Sequence, residues 1–363
     1  MTHIASLDSR RFMTSTIPPA TALRRLALTV LISAAGGGAA ALMHIPAGWL
    51  AGGALAVALS ALGGVQVHMP NRLRDGIFVL TGLSMGAAVS RDSLALMFQW
   101  PVTLAALVVE LVLIITLTGY LLRRFFGLDR GTAYLSSFPG HLSFVMSIAA
   151  AGVGDTRQIV IIQVTRILVL TICVPIGALF LPVGHYAAAA GSAEPMSLQS
   201  LVLVAAACFV VGYVFNRLKM PAGYALGAMA TSIVAKFAGL FDGQLPPFFL
   251  EAVFILVGAL IGSRFAGITR SEFFKAIAAG LLGTGLTVGI VTLVAFAVTP
   301  LVDIPFGQIW LGLSPGALEG MGALGIALGF DTAFIAAHHV SRLLLLTLAI
   351  PSVALMIRRK ELP

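Results

Sequence analysis

Two arginines stand where an apolar chain can least easily hold them. Arg166 lies in "IVIIQVTRILVLTICVP" and Arg342 in "FIAAHHVSRLLLLTLAIP". Each sits about ten residues into its run, which at ~1.5 Å per residue is ~15 Å, the middle of a hydrocarbon core of ~30 Å. A guanidinium at that depth costs a few kcal/mol and must face a partner or a water-filled cavity. Its helix face is polar in both runs. Gln163 precedes Arg166 by three residues, and His338 and His339 precede Arg342 by four and three, spacings that share one face of a helix. Two guanidiniums directed at one place would hold a carboxylate or phosphate through paired N–H donors. The competing structural reading pairs them with Asp155, Glu319 or Asp331.

Upstream of each arginine is a Pro-Gly step, Pro139-Gly140 and Pro315-Gly316. Proline ends a preceding helix and glycine tolerates the turn. A helix starting after it would present free N–H groups and the positive end of its dipole, which inside a membrane suits an anion. The substrate-binding candidates are therefore Arg166, Arg342, Gln163, His339, Gly140, Gly316 and Ser143. Asp155-Thr156 and Asp331-Thr332 precede the last helix of each half. N-capping is their first reading, and binding of a coupling ion or proton is the alternative. Glu319, opposite Ser143 in the repeat described below, joins that set with Asp155, Asp331 and His338, and His339 is a further proton-site candidate. Glu110 and Lys236 also lie in apolar runs, where interface and interior positions are equally open.

The elements that must position these residues are apolar throughout. The chain has 363 residues, 59% hydrophobic and 10% charged, with a mean hydropathy of +1.02. A soluble domain is about a quarter charged, so the solvent for most of this surface must be lipid. The net charge of +8 does not point to nucleic acid, because the basic residues fall in short loops where the positive-inside rule places them. Runs of membrane character fall near 26–43, 46–67, 76–90, 101–122 and 158–181, then near 198–215, 221–240, 248–263, 276–299 and 332–357.

The second set repeats the first. Pro139, Gly140, Leu142, Asp155, Thr156, Arg166 and Pro175 recur 176 positions later as Pro315, Gly316, Leu318, Asp331, Thr332, Arg342 and Pro351. Gly82 and Gly86 recur as Gly258 and Gly262, and Pro46–Gly48 and Gly52 recur 175 positions later as Pro221–Gly223 and Gly227. These glycines read as close helix packing. His141, Ser143 and Gln163 face Ala317, Glu319 and His339, so the halves differ where chemistry would occur.

The organisation that follows is a cytoplasmic tail (1–25), a first membrane repeat (26–181), an external linker (182–197) and a second membrane repeat (198–363). Arg10, Arg11, Arg24 and Arg25 lie in the tail, which resembles a twin-arginine signal only in "SRRFM" and is followed by many apolar segments. The arginine distribution favours Pro-Gly stretches that dip in and return on one side, giving five crossings per repeat, two inverted repeats and both termini inside. Cys173 and Cys208 read as buried, inert thiols, with no disulfide or metal site.

The duplicated "PG-x-L … D-T … R … P" pattern and the paired "PAG" helices resemble the AbrB-duplication family of bacterial integral membrane proteins, which is distinct from the DNA-binding regulator of that name. The resemblance spans nearly everything beyond residue 25. It implies an all-α polytopic membrane protein of the bacterial inner membrane, with kinship to transporters built from inverted repeats and broken helices. The family's usual "PGG" followed by an acidic residue is replaced here by Pro139-Gly140-His141 with Ser143, and by Pro315-Gly316-Ala317 with Glu319.

An ammonia monooxygenase label attached to such proteins finds no support, since copper or iron oxidation needs clustered ligands and the chain offers the adjacent His338-His339. The expected function is secondary transport of a small organic anion, coupled to an ion or proton, with no enzymatic activity, cofactor, metal or direct nucleic-acid contact. The alternatives are a membrane sensor acting on gene expression indirectly and, weakest, a membrane enzyme. The partners are the lipid bilayer and a small anionic solute, and a homodimer is compatible with the reading.

Overall fold

The computed structural model describes residues 18–89, 100–140, 145–146, 148–149, 152–178, 196–220, 222–241, 245–316 and 318–361; of 351–361 and of Glu319, Leu348 and Ile350 it describes the backbone alone. Ser143, most of the 182–197 linker and most of the N-terminal tail lie outside the described residues. The protein is an all-α polytopic membrane protein, and the described residues hold no strand. In the first half, α1 (Pro19–Leu42), α2 (Gly48–Leu62) and α3 (Asn71–Ala88) are followed by α4 (Trp100–Leu113). A π-helical turn, Ile114–Thr118, joins α4 to α5 (Gly119–Phe126), and α6 (Arg130–Ser137) and α7 (Thr156–Ala178) complete the half. In the second, α8 (Leu198–Arg217), α9 (Gly223–Phe237), α10 (Pro247–Ser263) and α11 (Arg270–Val298) lead to α12 (Phe306–Leu313), α13 (Leu318–Ala327) and α14 (Thr332–Glu361).

Among the described residues, five helical stretches are long and apolar enough to cross a membrane: Pro19–Leu42, Trp100–Phe126, Thr156–Gly177, Leu198–Arg217 and Arg270–Leu301. The runs near 46–67 and 221–240 are shorter than the sequence suggests. They fold as 15-residue helices, about 22 Å long at ~1.5 Å per residue, short of a full hydrocarbon core. In the first half Pro46 accounts for this, since it lies in a turn before the helix begins. Ala47 and Ala222 adopt left-handed φ values of 52° and 51°, and His44 and Lys219 adopt 57° and 58°. A left-handed non-glycine residue is strained, yet the same pair of strained positions occurs at the same spacing in both halves.

The packing at the centre crosses between the halves. α3 lies against α9, and α10 lies against α2. A methyl group on Gly86 would sit 2.5 Å from the Met229 carbonyl oxygen, and one on Gly258 would sit 2.8 Å from that of Leu50. Gly82 meets the Ala225 backbone and Gly262 that of Ala54 (2.7 Å). The four glycines are thus the surface along which each half's third helix presses on the other half's second. Hydroxyls fasten the halves as well: Ser232 of α9 donates to Leu83 O of α3 at 3.0 Å, and Ser33 of α1 donates to Ile255 O of α10 at 2.7 Å. The ammonium of Lys236 donates to Ala87 O at 2.6 Å and Val89 O at 2.9 Å, so this half-buried lysine caps the C-terminus of α3, where the dipole favours a cation.

The expectation of two buried thiols is half right. Cys208 is buried, with its sulfur 3.2 Å from Ala228 O. Cys173 is exposed, near the C-terminal end of α7.

Candidate functional site

The site begins with two helices that stop early. α6 starts at an N-cap, Asp129, whose carboxylate accepts from Thr132 N at 2.8 Å. It ends after eight residues as Phe138 turns extended (φ −60°, ψ 120°) ahead of Pro139. α12 does the same 176 positions later, ending at Ser314 (φ −61°, ψ 130°) ahead of Pro315. A residue preceding proline is forced out of the helical region, so the stop is written locally. It leaves the last carbonyls of each helix without helical N–H partners inside an apolar protein.

The arginines supply those partners. Arg166 donates from Nη2 to Phe138 O at 3.0 Å and from Nη1 to Ser136 O at 3.4 Å. Arg342 donates from Nη1 to Ser314 O at 2.9 Å, and from Nη2 to Gly312 O at 3.1 Å and Leu313 O at 2.5 Å. Both are buried, at 4% and 2% exposure, so these bonds replace water as well as carboxylates. The sequence reading left the arginines to pair with Asp155, Glu319 or Asp331, or to fork openly towards an anion. The fork tips instead close off broken helices, whose C-terminal dipole ends attract the positive charge. Each guanidinium keeps one buried N–H, at Nε, without a hydrogen-bond partner. Gln163 Oε1 lies 3.5 Å from Arg166 and donates through its amide to Leu135 O at 3.1 Å, while His339 Nδ1 lies 3.4 Å from Arg342. An arginine has only donors, so His339 must accept at Nδ1 and carry its proton at Nε2.

Both arginines line one cavity of about 570 Å³. Pro139-Gly140 and Pro315-Gly316 form part of its wall, as do Gln163 and His339. Gly140 has φ +113°, a left-handed backbone that excludes a side chain. α13 begins at Leu318, also in the wall, so its N-terminus opens beside the cavity. Two more arginines line it, Arg74 near the start of α3 and Arg264 at the end of α10. In the sequence both belong to the general distribution of arginines that sets topology. Their position at helix ends near apolar runs was visible, but nothing in the sequence joins two such ends across 190 residues. Among its described lining residues, the cavity holds four arginines and no aspartate or glutamate.

The other candidates are placed elsewhere. Asp155 is the N-cap of α7, accepting from Arg157 N at 2.8 Å and Gln158 N at 3.1 Å. Asp331 caps α14, accepting from Ala333 N at 2.8 Å. Their own N–H groups donate to the equivalent residues Thr132 (2.6 Å) and Gln308 (3.2 Å). His338 turns away from the cavity, with Nδ1 2.8 Å from Phe334 O and Nε2 2.7 Å from the Thr103 hydroxyl. Asp155, Asp331 and His338 are therefore not brought to the arginines' cavity. The Glu319 backbone lies in α13 next to that wall. Among the described residues there is no cluster of three or more His, Cys, Asp or Glu suited to a metal ion.

The family model described as "Transition state regulatory protein AbrB" matches residues 49–358. Two relatives match over most of their length. "Putative regulator AbrB" of Escherichia coli (strain K12) is 26% identical over 318 residues, covering 86% of this chain and 90% of the relative. "Uncharacterized protein YhjN" of Bacillus subtilis (strain 168) is 24% identical over 355 residues, covering 89% and 90%.

Proposed function

The chain belongs to the AbrB family, and on that footing we propose that it is a secondary transporter of a small organic anion in the bacterial inner membrane. The observation that carries the reading is the arginine cavity: two intramembrane guanidiniums and two rim arginines around about 570 Å³, with no carboxylate among its described lining residues. The volume is that of a small-molecule site. Arg166 and Arg342 contribute fixed charge and an unpartnered Nε–H each, while their other donors hold the Pro-Gly breaks in place. The anion is thus held by charge, by the N-terminus of α13 and by Gln163 and His339, and the breaks are where the backbone can rearrange.

The test is exchange of radiolabelled succinate or lactate across proteoliposomes that contain the full chain, with a cationic amine as control. Exchange of a carboxylate and not of the amine is the expected result. Folded protein that exchanges neither carboxylate refutes the reading. The regulatory wording of the family and of the Escherichia coli relative suggests a second reading, a membrane sensor occupied by the same kind of anion. It differs in predicting binding without exchange.

Alternating access through two inverted repeats requires a definite topology. Reporter fusions at residues 190 and 363 should read external and cytoplasmic, respectively. A cytoplasmic signal at 190 would rule out inversion. In this orientation Arg74 and Arg264 mark the cytoplasmic mouth of the cavity.

A further inference from the structure

Glu110 is a second buried charge, and nothing above uses it. It is the eleventh residue of the membrane stretch Trp100–Phe126, about 15 Å from its start at ~1.5 Å per residue, hence near the midplane. It is fully buried, and neither carboxyl oxygen has a hydrogen-bond partner. A carboxylate in that state lacks both water and a donor, a situation proteins avoid because it costs several kcal/mol. α4 packs against α11, α12, α14 and the π-helical turn. From α11 between Ala276 and Val298, from α12 and from the turn no titratable side chain is available. α14 brings His338, His339 and Arg342. His338 is already bonded to Phe334 O and Thr103, which leaves Arg342 as a permanent cation on the helix packed against α4. The repeat gives Glu110 no counterpart, since the position 176 residues on is Leu286.

We propose that Glu110 is the proton-binding site of this protein: its carboxyl carries the proton while buried, and gives it up to water when a rearrangement of the Pro315-Gly316 break after α12 frees the Arg342 guanidinium to pair with the carboxylate. The O–H bond of the acid breaks, the proton leaves as hydronium, and the negative charge created is met by a cation already present. This deepens the transport reading and depends on it only for the coupling step. The arrangement links the anion cavity to the proton site through one residue, because Arg342 lines the cavity and lies on α14, the helix that packs against α4 and its Glu110.

The experiment is infrared spectroscopy of the full-length protein in nanodiscs at neutral pH, followed by succinate exchange in proteoliposomes. A protonated-carboxyl C=O band that shifts in D₂O and disappears in Glu110→Gln is expected. An absent band, or one that persists in that variant, overturns the proposal. In exchange, Glu110→Gln should lose all acceleration by an imposed pH gradient while equal-pH exchange continues; acceleration that survives also overturns it. If Glu110→Gln does not fold, Arg342→Lys serves instead, and the pH midpoint of the wild-type band must move; an unmoved midpoint overturns the site. A band that behaves as expected in a protein that exchanges no carboxylate sustains the proton site and refutes the transport reading, so the two failures are distinguishable.

Discussion

Arg342→Ala should destabilise the folded protein by roughly 3–5 kcal/mol, combining buried acceptors left unsatisfied at about 1–3 kcal/mol each with the cavity of a deleted side chain. Arg342 holds three carbonyls at the end of α12, at 2.5 to 3.1 Å. Arg166 holds two at the end of α6, the nearer at 3.0 Å and the farther at 3.4 Å. Arg166→Ala should therefore cost less than Arg342→Ala, although the sequence makes the two equivalent. Lysine separates charge from geometry. It places one cation at the same depth but lacks the planar five-donor fork that spans the three carbonyls and leaves an N–H at Nε. Arg342→Lys keeps the charge but loses the Nε–H and part of the carbonyl cap, so it should destabilise less than Arg342→Ala and still weaken anion binding, by about tenfold for each ~1.4 kcal/mol of interaction removed. Thermal unfolding in detergent and succinate binding to the purified variants measure the two separately. Full anion binding by both lysine variants would mean that the arginines serve only the broken helices.

The second large effect is expected at the crossed helix packing. A methyl group on Gly82 would enter the Ala225 backbone, 2.9 Å from its carbonyl carbon and from the Ala228 Cβ. Backbone cannot move aside as a flexible side chain can, so α3 and α9 must separate along their contact. Gly82→Ala should cost about 1–3 kcal/mol, the range for overpacking a filled interior, and Gly82→Leu should prevent recovery of folded protein. Gly285 and Gly289 in α11 provide the control, because a methyl group there meets nothing within 4 Å. Gly285→Ala should be neutral or slightly stabilising. Yield of monodisperse protein and its thermal midpoint decide the matter, and equal midpoints for Gly82→Ala and Gly285→Ala would show that the contact is loose.

The membrane class and the helix breaks were legible in the sequence because both are local. A run of apolar residues needs no partner to declare its solvent, and proline forbids the helical conformation of its predecessor wherever it occurs. The depth of Arg166 and Arg342 was legible for the same reason, as a count of residues along a helix. What those arginines touch was not. Whether a guanidinium meets a carboxylate, a ligand or a carbonyl depends on which chain segment lies beside it, and the partners of Arg342 are 28 to 30 positions away. The repeat identified Gly82, Gly86, Gly258 and Gly262 as packing glycines, but only the tertiary structure paired each half's third helix with the other half's second. A close-packing surface fixes how near a neighbour comes, not which neighbour. Arg74 and Arg264 entered the cavity by the same route, carried there by helices whose order in space is absent from their order in the chain. Glu110 remained ambiguous because a lone acid in an apolar run has the same sequence signature at a lipid interface as in a dry interior. Burial is a property of the assembled bundle, and only the packing of α4 against α11, α12 and α14 excluded water from it.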